Sequence, residues 1–228
     1  DACFIYLLEI DFMSFHNKTM NQVTHFFCGD MDNMSYVISD TITKDCVIVD
    51  PSWDVDQLIG YISKESLHLS AIWITHAHFD HVLGLDDVLC DFDVPIMLPS
   101  MSAAKFSNYS RVMPFQSGDE LVCGNVKWSV LPTPGHSADG VCFYSAPHLI
   151  AGDTLFIDRC GRADFEDSNV HDLYASLQRL KQLPDDTIVY PGHNYGKTPT
   201  DTLGNQRVQN PYLTLSNEAE FIRLRMGR

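Results

Sequence analysis

Short apolar runs recur along the chain, most of them closed by Gly, Pro, Asn or Asp. Residues 23–28 and 34–39 predict two strands joined by a turn-rich segment at 29–33. The run 46–50 is almost wholly apolar, which suggests a strand buried on both faces, and Pro51 ends it. Val55, Leu58, Ile59 and Ile62 then share one face of a helix over 55–63. Strands are predicted at 71–75 and 94–98, with a helix opening at Gly84 between them. Residues 100–118 are polar and irregular and read as a surface excursion, with a loop that shapes a pocket as the alternative. A second series of strands follows at 120–123, 126–131, 141–144 and 148–151, with Gly124-Asn125 as a hairpin turn. Leu173, Leu177, Leu180 and Leu183 stripe a helix over 169–183, stopped by Pro184. A last strand at 187–190 and a helical patch at 217–226 complete the pattern.

The order is strands, then helices, in two rounds. Two mixed β-sheets packed face to face and covered by helices would satisfy it, an α/β (α+β) arrangement. No linker, repeat or low-complexity tract divides residues 23–228. They are expected to form one domain with a short helical C-terminal tail. Residues 1–22 read as an N-terminal extension outside that core. The apolar start at Ala2–Leu8 lacks a basic flank and a cleavage site, so it is a poor secretory signal.

One stretch does not fit a purely structural reading. His76-Ala77-His78-Phe79-Asp80-His81 places four potential metal ligands on the loop leaving a strand, where open α/β sheets put their sites. Grouping so many titratable side chains has no structural compensation. They cannot all serve one ion comfortably, but they can serve two. Three further apolar runs each end at a Gly beside a potential ligand: Gly135-His136, Gly152-Asp153 and Gly192-His193. Together these are seven nitrogen and oxygen ligands without a thiolate. Such a set suits metal-assisted hydrolysis, in which a hydroxide shared by two ions attacks an acyl carbon.

Composition narrows the function classes. Net charge is −15, from 30 acidic and 15 basic residues. That argues against nonspecific nucleic-acid binding and against anionic membrane surfaces. No stretch approaches the roughly 20 apolar residues of a membrane span. Seven cysteines, an odd number without a CxxC pair, argue against a disulfide framework and for a reducing, cytoplasmic compartment.

These motifs, in this order over residues 23–213, resemble the metallo-β-lactamase superfamily, in its hydrolase branch. The resemblance implies a four-layer αββα sandwich. It also implies that His76, His78 and His136 bind one divalent ion, that Asp80, His81 and His193 bind a second, and that Asp153 bridges them. Zn is the expected metal, with Fe and Mn also suited to His/Asp ligands. Asp80 would orient the nucleophile as well as ligate.

Downstream, Gly152-Asp153-Thr154-Leu155-Phe156 and Cys160-Gly161-Arg162 are similar to glyoxalase II (hydroxyacylglutathione hydrolase). By that resemblance Arg162 and Tyr195 contact glutathione, and the substrate is S-D-lactoylglutathione or a related small-molecule acyl-glutathione. An Arg–Asp surface pair with Asp158 or Asp164 is the competing role for Arg162. The chain departs from full-length glyoxalase II after His193, where the long helical C-terminal part is largely missing. Cys160-Gly161-Arg162-Ala163-Asp164-Phe165 also resembles the persulfide dioxygenases. That alternative implies a single non-haem Fe(II) on His76, His136 and Asp153, oxidising glutathione persulfide.

Overall fold

The computed structural model describes residues 20–227. Its first sheet is built from Asn21–Cys28 (β1), Asn33–Asp40 (β2), Asp45–Val49 (β3), His68–Trp73 (β4), Ile96–Pro99 (β5) and Val112–Phe115 (β6), in that spatial order. Its second sheet uses Glu120–Cys123 (β7), Val126–Pro132 (β8), Val141–Ser145 (β9), His148–Gly152 (β10), Ile188–Pro191 (β13) and Asp201–Thr202 (β14). Between β10 and β13 lies a small hairpin, Leu155–Phe156 (β11) and Arg159–Cys160 (β12). The second sheet runs β14-β13-β10-β9-β8-β7. Both sheets are mixed: β3–β4, β4–β5, β5–β6 and β10–β13 pair parallel, and the remaining pairs are antiparallel.

Alternation along the strands explains the layers. On β2, Tyr36 and Ile38 face the second sheet while Val37 faces the other way. On β3, Val47 and Val49 join the inter-sheet core, and Cys46 and Ile48 join the outer one. The inter-sheet core centres on Trp73, whose ring lies 6.2 Å from Trp128 and 5.4 Å from Phe143. Helices Asp56–Lys64 (α1) and Leu85–Asp91 (α2) cover the outer face of the first sheet through Leu58, Ile62, Leu85 and Val88. Helices Val170–Leu180 (α3), Leu203–Gln209 (α4), Pro211–Thr214 (α5) and Glu218–Met226 (α6) cover the second, burying Leu173, Leu177, Leu180, Leu203, Leu213 and Phe221 against Cys142, Leu149 and Val189. The expected αββα sandwich is the observed architecture.

The differences have local causes. Residues 100–118 are not a simple excursion: Ser100–Phe106 forms 3₁₀ turns and β6 pairs parallel with β5. As an edge strand holding Pro114 and burying only Phe115 fully, β6 has no alternation to betray it. The first strand begins at Asn21, two residues before its expected start. Strand β4 ends at Trp73, because Thr75 turns to bond Asp50, and α3 ends at Leu180, short of Leu183. The β11–β12 hairpin, β14, α4 and α5 lie where no periodicity announced them. Residues 1–19 of the expected extension lie outside the described residues. Among the described residues, no helix is long and apolar enough to cross a membrane.

Trp73→Ala is expected to lower unfolding stability by about 3–5 kcal/mol, from lost burial and the cavity left between the sheets. Chemical denaturation measures it, and a loss below about 1 kcal/mol would contradict the central placement of this ring.

Candidate metal centre

The two sheets leave their parallel strand ends on one edge, and every sequence-predicted ligand comes from that edge. After β4, Thr75 donates its N–H to Asp50 Oδ1 at 2.8 Å and its hydroxyl to Asp50 Oδ2 at 2.6 Å. That clamp fixes where the His76–His81 loop begins. The Ala77 N–H donates to Asp139 Oδ2 at 2.9 Å, holding the middle of the loop. A 3₁₀ turn, Phe79–His81, then aims Asp80 and His81 inward and leaves Phe79 in solvent.

Two groups of side chains converge. His76, His78 and His136 bring one ring nitrogen each within 4.8 Å of one another, and Asp80, His81 and His193 do the same with their side-chain atoms. Asp153 stands between the groups. Its Oδ1 lies 3.4 Å from His81 Nε2, and its Oδ2 lies 3.3 Å from both His136 Nε2 and His193 Nε2. All seven predicted ligands are thus brought to one place.

The imidazoles are oriented from behind. Nδ1 of His81 faces Asp50 Oδ2 at 3.1 Å, Nδ1 of His136 faces Arg162 O at 2.9 Å, and Nδ1 of His193 faces Met31 O at 2.8 Å. Their Nε2 atoms are therefore the inward ones. Such anchoring fixes ring orientation and tautomer in metal sites. His76 Nε2, His81 Nε2 and Asp153 Oδ1 are buried without any hydrogen-bond partner. Buried polar atoms left unpaired are costly, so this site calls for a bound cation. A donor set of imidazoles and carboxylates fits Zn²⁺ and also Fe or Mn.

Electrostatics divide the rings. Burial drives His76 well below the ordinary imidazole range, with His81 adding to the effect, and burial likewise lowers His136. His81 and His193 resist burial because Asp153 lies against both; His81 is pushed well up and His193 to about 9. Asp80, although largely desolvated, is held far below the usual carboxylate range by His193, His81 and the Asn33 amide.

Three supporting residues had no sequence signal strong enough to single them out. Asp50 is buried behind His76 and His81, with both oxygens already accepting from Thr75. Asn33 Nδ2 donates to Asp80 Oδ2 at 3.0 Å and to Asp80 O at 3.2 Å. Asp139 also accepts from the Ser102 hydroxyl. The available hint was a polar residue closing an apolar strand, as Asp50 does before Pro51.

The metallo-beta-lactamase superfamily model matches residues 28–193. The chain belongs to this superfamily. A probable polyketide biosynthesis zinc-dependent hydrolase, BaeB, of Bacillus velezensis is 30% identical over 91% of this chain and 90% of its own. Hydroxyacylglutathione hydrolase of Yersinia enterocolitica is 36% identical over 72% of this chain and 62% of its own, so the chain spans somewhat less than two thirds of that relative. Among solved structures, ETHE1 from Myxococcus xanthus superposes with a TM-score of 0.80 at 27% identity, covering 90% of both chains.

In this superfamily member a cleft of about 380 Å³ opens over the ligand groups, and Arg162 and Tyr195 both line it. Arg162 forms the surface pair that competed with a ligand role: its Nε and one Nη reach Asp164 at 2.6 and 2.8 Å, and its guanidinium lies 4.4 Å over the Phe165 ring. Tyr195 stacks on His193 at 4.8 Å and donates its hydroxyl to Met31 O at 3.3 Å. Cys160 is no part of the lining. Burial raises its thiol to about 12.

Gly192 closes the site from the second sheet. A Cβ there would lie 2.1 Å from Asp153 Oδ1. Gly192→Ala is expected to displace Asp153 and lower metal content well below that of the native chain, with the far-ultraviolet circular dichroism unchanged; full metal content would show that Asp153 has room to move. Alkylation of the folded protein at neutral pH should modify exposed Cys90 and spare Cys160, as read by peptide mass spectrometry.

Proposed function

We propose that the protein is a dinuclear metal-dependent thioester hydrolase acting on S-D-lactoylglutathione or a related acyl-glutathione. One observation carries the reading: Asp153 lies within 3.4 Å of rings from both ligand groups. His76, His78, His136 and Asp153 would hold one ion, and Asp80, His81, His193 and Asp153 the other. Divalent ions held there bring the pKa of bound water toward neutrality and polarise a carbonyl. Zinc is the expected metal; the Bacillus velezensis relative is named as a zinc-dependent hydrolase.

The chain's own residues perform the remaining work. Asp80 is kept ionised and is locked by Asn33 and by the Ser52 hydroxyl, which donates to Asp80 O at 2.5 Å. Its carboxylate would thereby be held to orient the attacking water by accepting a hydrogen bond from it. Arg162 keeps one Nη beyond those bonded to Asp164, and Tyr195 stands beside the ligand groups. Both line the mouth and would meet a glutathione carboxylate or amide there. The name of the Yersinia relative supports the glutathione assignment. The cysteine pattern supports a cytoplasmic setting.

The single-iron alternative would use His76, His136 and Asp153. It would make Asp80, His81 and His193 supports around that ion rather than ligands, although all three are buried and their inward atoms converge as a second ligand group. The two-metal reading uses every one of them.

Protein purified without added metal should carry close to two divalent ions per chain and hydrolyse S-lactoylglutathione. Asp80→Ala should reduce that turnover by roughly a hundredfold or more. One iron per chain, with O₂ uptake on glutathione persulfide and no hydrolysis, would replace this reading with the dioxygenase.

A further inference from the structure

The cleft carries apolar side chains that the hydrolytic chemistry leaves unused. Phe79, beside Asp80, is 61% exposed, and Met31, Phe165 and Tyr195 are between 40% and 42% exposed on the same lining. Phe79 meets Trp53 edge-on at 6.3 Å, which continues the apolar surface away from Asp80. Phe165 stands edge-on to His78 at 5.1 Å and to His136 at 5.6 Å, so it borders the first ligand group directly. Large apolar side chains gathered at the mouth of a polar site mark a surface that a ligand covers.

The same lining offers little to a polar acyl group. Among its described residues there is no Ser, Thr, Asn or Gln side chain. The Tyr195 hydroxyl is directed at Met31 O. Glu166 and Asp167 add carboxylates at the mouth, and the cation of the lining, Arg162, is matched by Asp164. An acyl carboxylate would meet the like charge of Glu166 and Asp167 here. Methylenes, by contrast, would cover apolar surface at a gain.

We propose that the preferred substrates are thioesters of uncharged alkyl acyl groups of medium length. The carbonyl sits between the two ligand groups, and the chain lies along Met31, Phe79 and Phe165. Water adds to the carbonyl carbon, the C–S bond breaks, and a carboxylate, a thiol and one proton are released. The inference deepens the thioesterase reading and rests on it.

The test uses the full chain loaded with zinc and a series of glutathione thioesters: acetyl, butyryl, hexanoyl, octanoyl, lactoyl and succinyl. kcat/KM is expected to rise about twofold per added methylene from acetyl to octanoyl. Succinyl should fall at least about tenfold below butyryl, which reflects the acidic mouth. Phe79→Ala and Phe165→Ala, both at exposed positions, should each lower the octanoyl-to-acetyl ratio about fivefold. Calorimetry with S-methyl- and S-octylglutathione reads the wall without chemistry, and the octyl compound should bind at least tenfold more tightly. A flat or falling chain-length profile with lactoyl preferred overturns the inference and leaves the thioesterase intact. No hydrolysis of any member, with tight octyl binding, overturns the thioesterase reading and the substrate assignment built on it. Equal binding of the two thioethers overturns the apolar wall.

Discussion

A single buried carboxylate ties the molecule together. Asp153 is 7% exposed and has one oxygen with no hydrogen bond, yet the imidazoles of His81 and His193 hold it ionised. Those rings come from opposite sheets, His81 after β4 and His193 after β13. The sandwich must therefore close in one register for the charge to be met. Packing of Trp73 against Trp128 and Phe143 sets that register, so the core and the site are coupled through the same strands.

The support behind the ligands follows the same logic. Asp50 binds the start of the His76 loop, orients His81 and leaves neither oxygen free. Asn33 and Ser52 fix Asp80 from the first sheet, while Met31 and Arg162 lend backbone carbonyls to His193 and His136. The orientations of the His81, His136 and His193 rings are thus set by the protein itself, which limits the reorganisation that binding requires. Gly192 serves by absence: any side chain there would occupy the space of Asp153.

Substrate choice lies outside this rigid frame. Apart from half-buried His78, the ligand groups are buried and supplied by strand ends, whereas Met31, Phe79, Phe165 and Tyr195 stand in turns and loops at the mouth. Loops on a rigid scaffold can change their side chains without disturbing the chemistry beneath. The acidic and apolar side chains of that mouth are what the proposed acyl preference rests on.

The sequence by itself determined the layers and the set of ligand-type residues that converge. Apolar runs with alternation placed most strands, the leucine stripe placed α3, and four His/Asp residues in one loop with three Gly-flanked partners named all seven converging side chains. These signals are local, because one strand end and its loop carry each of them. Other features needed the tertiary structure. Strand β6 buries only Phe115 fully and gains its identity by pairing with β5, which no local pattern records. Asp50, Asn33 and Asp139 are common polar residues until the fold sets them behind distant partners. Arg162 reads as a carboxylate ligand from its motif, and only its position showed that Asp164 already holds two of its donors. The place of Asp153 between two groups, drawn from residues as far apart as His76 and His193, depends on two sheets meeting at one edge. That is a property of long-range packing, and no window of sequence contains it.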